Sequence, residues 1–79
     1  MNLLEGNEER FLHGYIMTRT EGSSSRHKYP TMSELEVIGQ RYSCPDKAIK
    51  AALARLVERG QVKFDGCYYC TPEHETDVL

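Results

Sequence analysis

No stretch of this 79-residue chain comes near the roughly 18 to 20 consecutive apolar residues that a membrane-spanning helix needs. Its first residues also lack the basic-then-apolar order of a signal peptide. A soluble, cytoplasmic protein is the expectation. Cysteine is scarce and odd in number, at Cys44, Cys67 and Cys70, which does not close into a disulfide framework and fits reduced thiols. There is no internal repeat and no glycine-rich loop to cradle a phosphate. No cysteine–histidine pair is held together by the predicted elements, and His13 falls on the first predicted helix, where it can face solvent. An enzyme finds no support in these residues, and no cofactor is expected.

An excess of positive charge is missing too. Ten Lys and Arg face twelve Asp and Glu, for a net charge of −2. The distribution matters more than the total. All ten basic residues lie between Arg10 and Lys63, whereas Glu5, Glu8, Glu73, Glu75 and Asp77 sit near the ends. Residues 9–71 hold ten basic against seven acidic side chains, a net of +3. The middle is mildly basic between acidic ends, a weak electrostatic footprint for nucleic acid.

What the chain does contain is one well-marked helix, residues 45–59 within Cys44–Gly60. Ile49, Ala52, Leu53, Leu56 and Val57 recur at steps of three and four, which puts them on one face. Lys47, Lys50, Ala51, Ala54 and Glu58 form the opposite face. Pro45 suits a first turn, Ser43 or Cys44 can cap it, and Gly60 after Arg59 supplies the residue tolerant of positive φ at the carboxyl end.

Upstream, residues 1–7 read as a flexible lead-in, with Leu3 or Leu4 able to fold back on the core. Asn7 is the candidate cap of a first helix over about 8–20, whose stripe is Phe11, Leu12, Tyr15 and Ile16. Glu21 to Pro30 reads as a loop, and its Arg26-His27-Lys28 cluster is a candidate phosphate contact or simply a solvated one. Thr31 and Ser33 each precede a glutamate by three residues, so two capping boxes compete to start a second helix. That helix spans Met32 to Arg41 or Tyr42, with Leu35, Ile38 and Tyr42 inward.

After Gly60 the period changes to two. Asp65-Gly66 predicts a two-residue hairpin turn that sets Phe64 opposite Cys67, Lys63 opposite Tyr68 and Val62 opposite Tyr69. Val62, Phe64, Cys67 and Tyr69 then share the face that covers the helices. Pro72 ends the strand, and residues 72–79 read as a flexible acidic tail. Cys67, Cys70 and His74 mimic metal-ligand spacing, but strand residues three apart face opposite sides, so structural thiols are expected and no metal.

Helix, loop, two helices joined by a tight turn, then a two-stranded hairpin is the order of a winged helix-turn-helix: mainly α, three helices and a small β wing over residues 8–71. The stretch PTMSELEVIGQRYSCPDKAIKAALARLVERGQV resembles the winged-helix families of bacterial and phage regulators, and most of all the amino-terminal DNA-binding domain of the SOS-response repressor family. The resemblance rests on Pro30-Thr31 opening the second helix, on Ile49, Leu53 and Leu56 along the third, and on Gly60-Gln61-Val62 leading into the wing. It implies sequence-specific binding of double-stranded DNA, with helix 45–59 in the major groove. Lys47 and Lys50 would then reach guanine acceptors or phosphates, Ala51 and Ala54 a thymine methyl, and Asp46 a cytosine amine. Ser43 and Arg41 at the turn, Arg26 and Lys28 in the loop, and Lys63 and Tyr68 on the wing would meet the backbone. A reader of this size is expected to need a homodimer or a cooperative neighbour. The alternative is a winged-helix module that binds another protein, as an adaptor or a phage-encoded modulator of a host complex.

Overall fold

The structure, a computed structural model, describes residues 1–21, 29–66 and 68–71. The chain is mainly helical, with three helices followed by a two-stranded antiparallel sheet: α1 (Glu8–Glu21), α2 (Met32–Arg41), α3 (Asp46–Glu58), β1 (Lys63–Asp65) and β2 (Tyr68–Cys70). The expectations that concern Arg26, His27, Lys28, Cys67, His74 and the acidic tail lie outside the described residues.

α1 begins where Phe11 N–H bonds the carbonyl of Asn7, with Glu8 and Glu9 in the turn where the helix dipole favours acids. Leu12 and Ile16 are fully buried and Phe11 and Tyr15 half-buried, so the stripe packs as its spacing requires. Thr20 extends it by one turn. Its hydroxyl contacts the Ile16 carbonyl at 3.0 Å and Thr71 Oγ1 at 3.2 Å, so this buried polar group has partners.

Of the two capping frames before α2, that of Thr31 prevails: its hydroxyl accepts from Glu34 N–H at 3.3 Å. The inward face differs from the expectation. Leu35 and Gly39 are buried, Ile38 is half-buried, and Tyr42 is 40% exposed with its ring edge against Phe11. Gly39 explains the rotation. A β-carbon there would lie 2.8 Å from Ile49 Cδ1 and Cγ1, so the missing side chain lets α2 cross close over α3. Glu34 then ties α2 to α1: Tyr15 O–H donates to its carboxylate, and the Arg19 guanidinium reaches it at 2.9 Å.

The α2–α3 connection turns on Ser43, which sits at φ 59°, while Cys44 is turned into the core at 2% exposure. Neither caps α3. Pro45 does so with its carbonyl, which accepts from Ala48 and Ile49 N–H, and it contributes no side-chain bond. Ile49, Ala52, Leu53 and Leu56 are buried, and each large aliphatic side chain so buried contributes about 1.5 to 3 kcal/mol. Val57, expected with them, is 39% exposed. At the far end Gly60, at φ +77°, donates to the Val57 carbonyl, and Gln61 N–H donates to that of Leu56. This pair of bonds is the Schellman closure that needs a left-handed residue, and it delivers Val62 into the core.

The hairpin is displaced from its expected register. Lys63 pairs with Cys70, Phe64 with Tyr69 and Asp65 with Tyr68. Asp65 therefore belongs to the strand, and the turn opens at Gly66, φ +68°, one position later than Asp65-Gly66 suggests. The shift in partner number is two, so side-chain faces are conserved. Two contacts favour the observed register. The Phe64 and Tyr69 rings meet at 4.7 Å, and Tyr69 N–H bonds the Pro30 carbonyl. Thr31 also bridges Tyr68, so the residues just before α2 run along the far side of β2. Tyr69 and Val62 are buried, but Phe64 is 51% exposed.

The lead-in is docked in part. Leu4 joins the core at 7% exposure while Leu3 stays 63% exposed, and Leu3 N–H bonds the Tyr42 carbonyl at 2.9 Å.

Candidate functional site

The outer face of α3 is set by the same period that buries Ile49, Leu53 and Leu56. Lys47, Lys50, Ala51, Ala54 and Glu58 are all exposed, as is Asp46 in the first turn. Lys50, Ala54 and Glu58 on this face also line a cavity shared with Met32, Phe64 and Tyr69. The connection that precedes them leaves Arg41 and Ser43 exposed beside the helix start. Six of the eleven residues singled out from the sequence thus fall on α3 or within three residues of it; with Arg41 counted they are seven: Arg41, Ser43, Asp46, Lys47, Lys50, Ala51 and Ala54.

The hairpin supplies two more, and here a correction applies. Lys63 is exposed and stands opposite Cys70, while half-buried Tyr68 stands opposite Asp65. They are not a cross-strand pair, because the turn lies one residue further along. Arg26 and Lys28 lie outside the described residues.

The charges around α3 are sorted by side. Arg55 Nε donates to Glu9 Oε2 at 2.6 Å, and Arg59 bonds the other oxygen of the same carboxylate. The two arginines are thereby directed towards α1. The bond from Arg55 is the largest influence holding the Glu9 carboxyl below its ordinary 4.5. Lys50, 61% exposed, lies 3.8 Å from the carboxylate of Glu36 of α2. A pair this open is worth well under 1 kcal/mol. It leaves Lys50 available to another anion.

Lys50 also stands at the rim of a cavity of about 380 Å³ between α3 and the hairpin, lined by Met32, Leu53, Ala54, Val57, Glu58, Phe64 and Tyr69. Sequence reasoning did not find this cavity, because it placed Val57 and Phe64 in the core. The signal was present in part. Val57 lies at the edge of the apolar arc, and Phe64 lies in a strand too short to be covered along its length.

Among the described residues no group of three His, Cys, Asp or Glu is arranged to hold a metal ion, and none of the helices is long and apolar enough to cross a membrane. Cys44 and Cys70 are both buried free thiols, and burial pushes the Cys44 thiol above its ordinary range. No family model matches the chain, and no curated protein or solved structure matches it either.

Proposed function

We propose that this chain is a winged helix-turn-helix protein that binds double-stranded DNA in a sequence-specific way, as a small prokaryotic or phage transcriptional regulator. One observation carries the reading: the outer face of α3 is exposed and presents Lys47 and Lys50 beside the small Ala51 and Ala54. A helix about 10 to 12 Å across fits a major groove of similar width, and small side chains at its centre let the backbone approach the base edges. In this reading Lys47 and Lys50 reach guanine acceptors or phosphates. Ala51 and Ala54 lie against thymine methyls, and Asp46 accepts from a cytosine amine. Arg41 and Ser43 meet phosphates at the helix start, and Lys63 and Tyr68 meet the backbone from the wing. The basic loop residues Arg26 and Lys28 belong to the same proposal.

The deciding experiment is selection from a random duplex pool, repeated with Lys47→Ala/Lys50→Ala. The reading expects one enriched sequence with the unaltered protein and its loss with the double variant. A pool that stays random with the unaltered protein rejects it.

The cavity between α3 and the hairpin favours a second reading, a protein-binding winged-helix module. Its exposed Val57 and Phe64 are apolar, and apolar side chains add little to phosphate contact. Indifference to duplex in the same selection, with no enriched sequence, is what that reading expects.

A further inference from the structure

The residues of α3 that the core leaves unused form one arc. At about 100° per residue, Val57, Lys50, Ala54, Glu58 and Ala51 fall within about 120° of the helix surface, and Ala54 lies at the middle. All five are exposed. Lys50, Ala54, Val57 and Gln61 recur at steps of four and three, the spacing of a seam between two helices. The Val57 edge of the arc borders the cavity that Phe64 of the hairpin also lines, so apolar surface continues beyond the helix.

This arc is its own complement when laid antiparallel. With Ala54 set against Ala54 of a second copy, Lys50 of each chain faces Glu58 of the other, about 6 Å along the axis on either side of the centre. Val57 of each faces the small Ala51 of the other. Opposite charges therefore meet twice, and neither lysine faces lysine nor glutamate faces glutamate across the axis. Alanine at the centre lets the two helices approach to about 8 Å, the near end of helix packing. Lys50 keeps its present neighbour in this arrangement: Glu36 stands at 3.8 Å, beyond hydrogen-bond reach, and an ammonium carries three donors. Among the described residues Glu58 is paired with no cation.

We propose that the outer face of α3 is where two copies of this chain meet, their α3 helices packed antiparallel about a two-fold axis at Ala54. Contact of this kind is isologous and closes at two. The exposed Val57 is covered, and the two Lys50–Glu58 pairs fix the direction and register of the helices. The proposal does not depend on the duplex reading. It adds a regulation to that reading, because Lys47 and Lys50 lie within the contact and a paired chain does not present α3 to a groove.

The test is sedimentation velocity from micromolar to millimolar protein, without nucleic acid, on five forms: unaltered, Lys50→Glu, Glu58→Lys, the double variant of these two, and Ala54→Arg. The unaltered chain is expected to pass from monomer to dimer. Each single reversal places like charges opposite each other twice by symmetry and weakens association about tenfold, while the double reversal restores it to within about threefold. An equimolar mixture of the two single variants re-forms opposite-charge pairs and is expected to associate like the unaltered chain. Ala54→Arg fills the centre of the contact and is expected to stay monomeric. Circular dichroism shows which forms are folded, and the double variant with Ala54→Arg carries the test if a single reversal is not. An unaltered chain that is monomeric throughout the range, as when a helix of another protein is the true occupant, overturns the proposal. So does a dimer that survives Ala54→Arg, or a double variant or mixture that associates no better than the single reversals. Because no duplex is present, none of these results depends on whether the random-pool selection succeeds.

Discussion

Gly39 of α2 and Ile49 of α3 approach so closely that a β-carbon on residue 39 would stand 2.8 Å from two atoms of the isoleucine side chain. Gly39→Ala gains about 1 kcal/mol of helix propensity but overpacks the crossing, which typically costs 1 to 3 kcal/mol. A net loss of about 1 kcal/mol is expected in denaturant unfolding. Repeating the substitution in an Ile49→Ala background should shrink that cost, because both atoms at 2.8 Å are gone. Equal costs in both backgrounds would show that the crossing is slack.

Glu9 links stability to acid. Its carboxyl is held below its ordinary value of 4.5 chiefly by the bond from Arg55, so its contribution is present above the unfolded value and is lost as pH falls through the folded one. Melting temperature measured from pH 7 to pH 3 should therefore fall more steeply for the unaltered chain than for Glu9→Gln. The two curves converge at the acid end. The carboxylate is open to solvent, so added salt should bring them together at neutral pH as well.

An alkaline limb is expected by the opposite sign. Burial raises Tyr69, Tyr15 and Cys44 above their ordinary values of 10.0 and 9.0. The unfolded chain ionises first, so stability is fully present below about pH 9 and is lost as pH rises through the folded values. Tyr69→Phe removes one titrating group and should make the decline between pH 9 and pH 11 shallower. An unchanged slope would place the effect elsewhere.

For the duplex reading, the lysines on α3 make a separable prediction. Each phosphate contact contributes a slope of roughly −0.9 to log affinity against log salt. If Lys47 and Lys50 touch phosphate, replacing either by alanine should reduce the magnitude of that slope by about 1. If one of them reads a base instead, its loss should relax preference at one position of the selected sequence and leave the slope nearly unchanged. Anisotropy titrations across several salt concentrations distinguish the two.

The helices were legible because their signals are local. A threonine cap, a proline at the start and a glycine at the end fix their boundaries within a residue or two, and a 3.6-residue period separates the faces. That period is also why Lys47, Lys50, Ala51 and Ala54 could be placed together on an outer face from sequence alone. The Gly60 stop shows the same thing at a single residue, whereas the sequence holds Thr31 and Ser33 equal as caps of α2, and the cap of α3 falls to Pro45 and not to Ser43 or Cys44. What escaped depends on contacts between distant segments. Asp65-Gly66 reads as a turn, but the tilted contact of the Phe64 and Tyr69 rings and the bond from Tyr69 to Pro30 choose the register. Nothing local to α2 marks Gly39, whose purpose lies in its partner across the crossing, Ile49. Glu36 came near Lys50 only through the angle between α2 and α3.

The bond from Leu3 to Tyr42, with Leu4 seated in the core, straps the opening residues across the elbow between α2 and α3. The tilt at which α3 is held out is therefore set partly from some forty positions upstream. A fusion partner or trimmed start that unseats Leu4 would change how the molecule presents its basic helix without altering one residue of that helix, so binding measurements should be made on chains whose first four residues are intact and unencumbered.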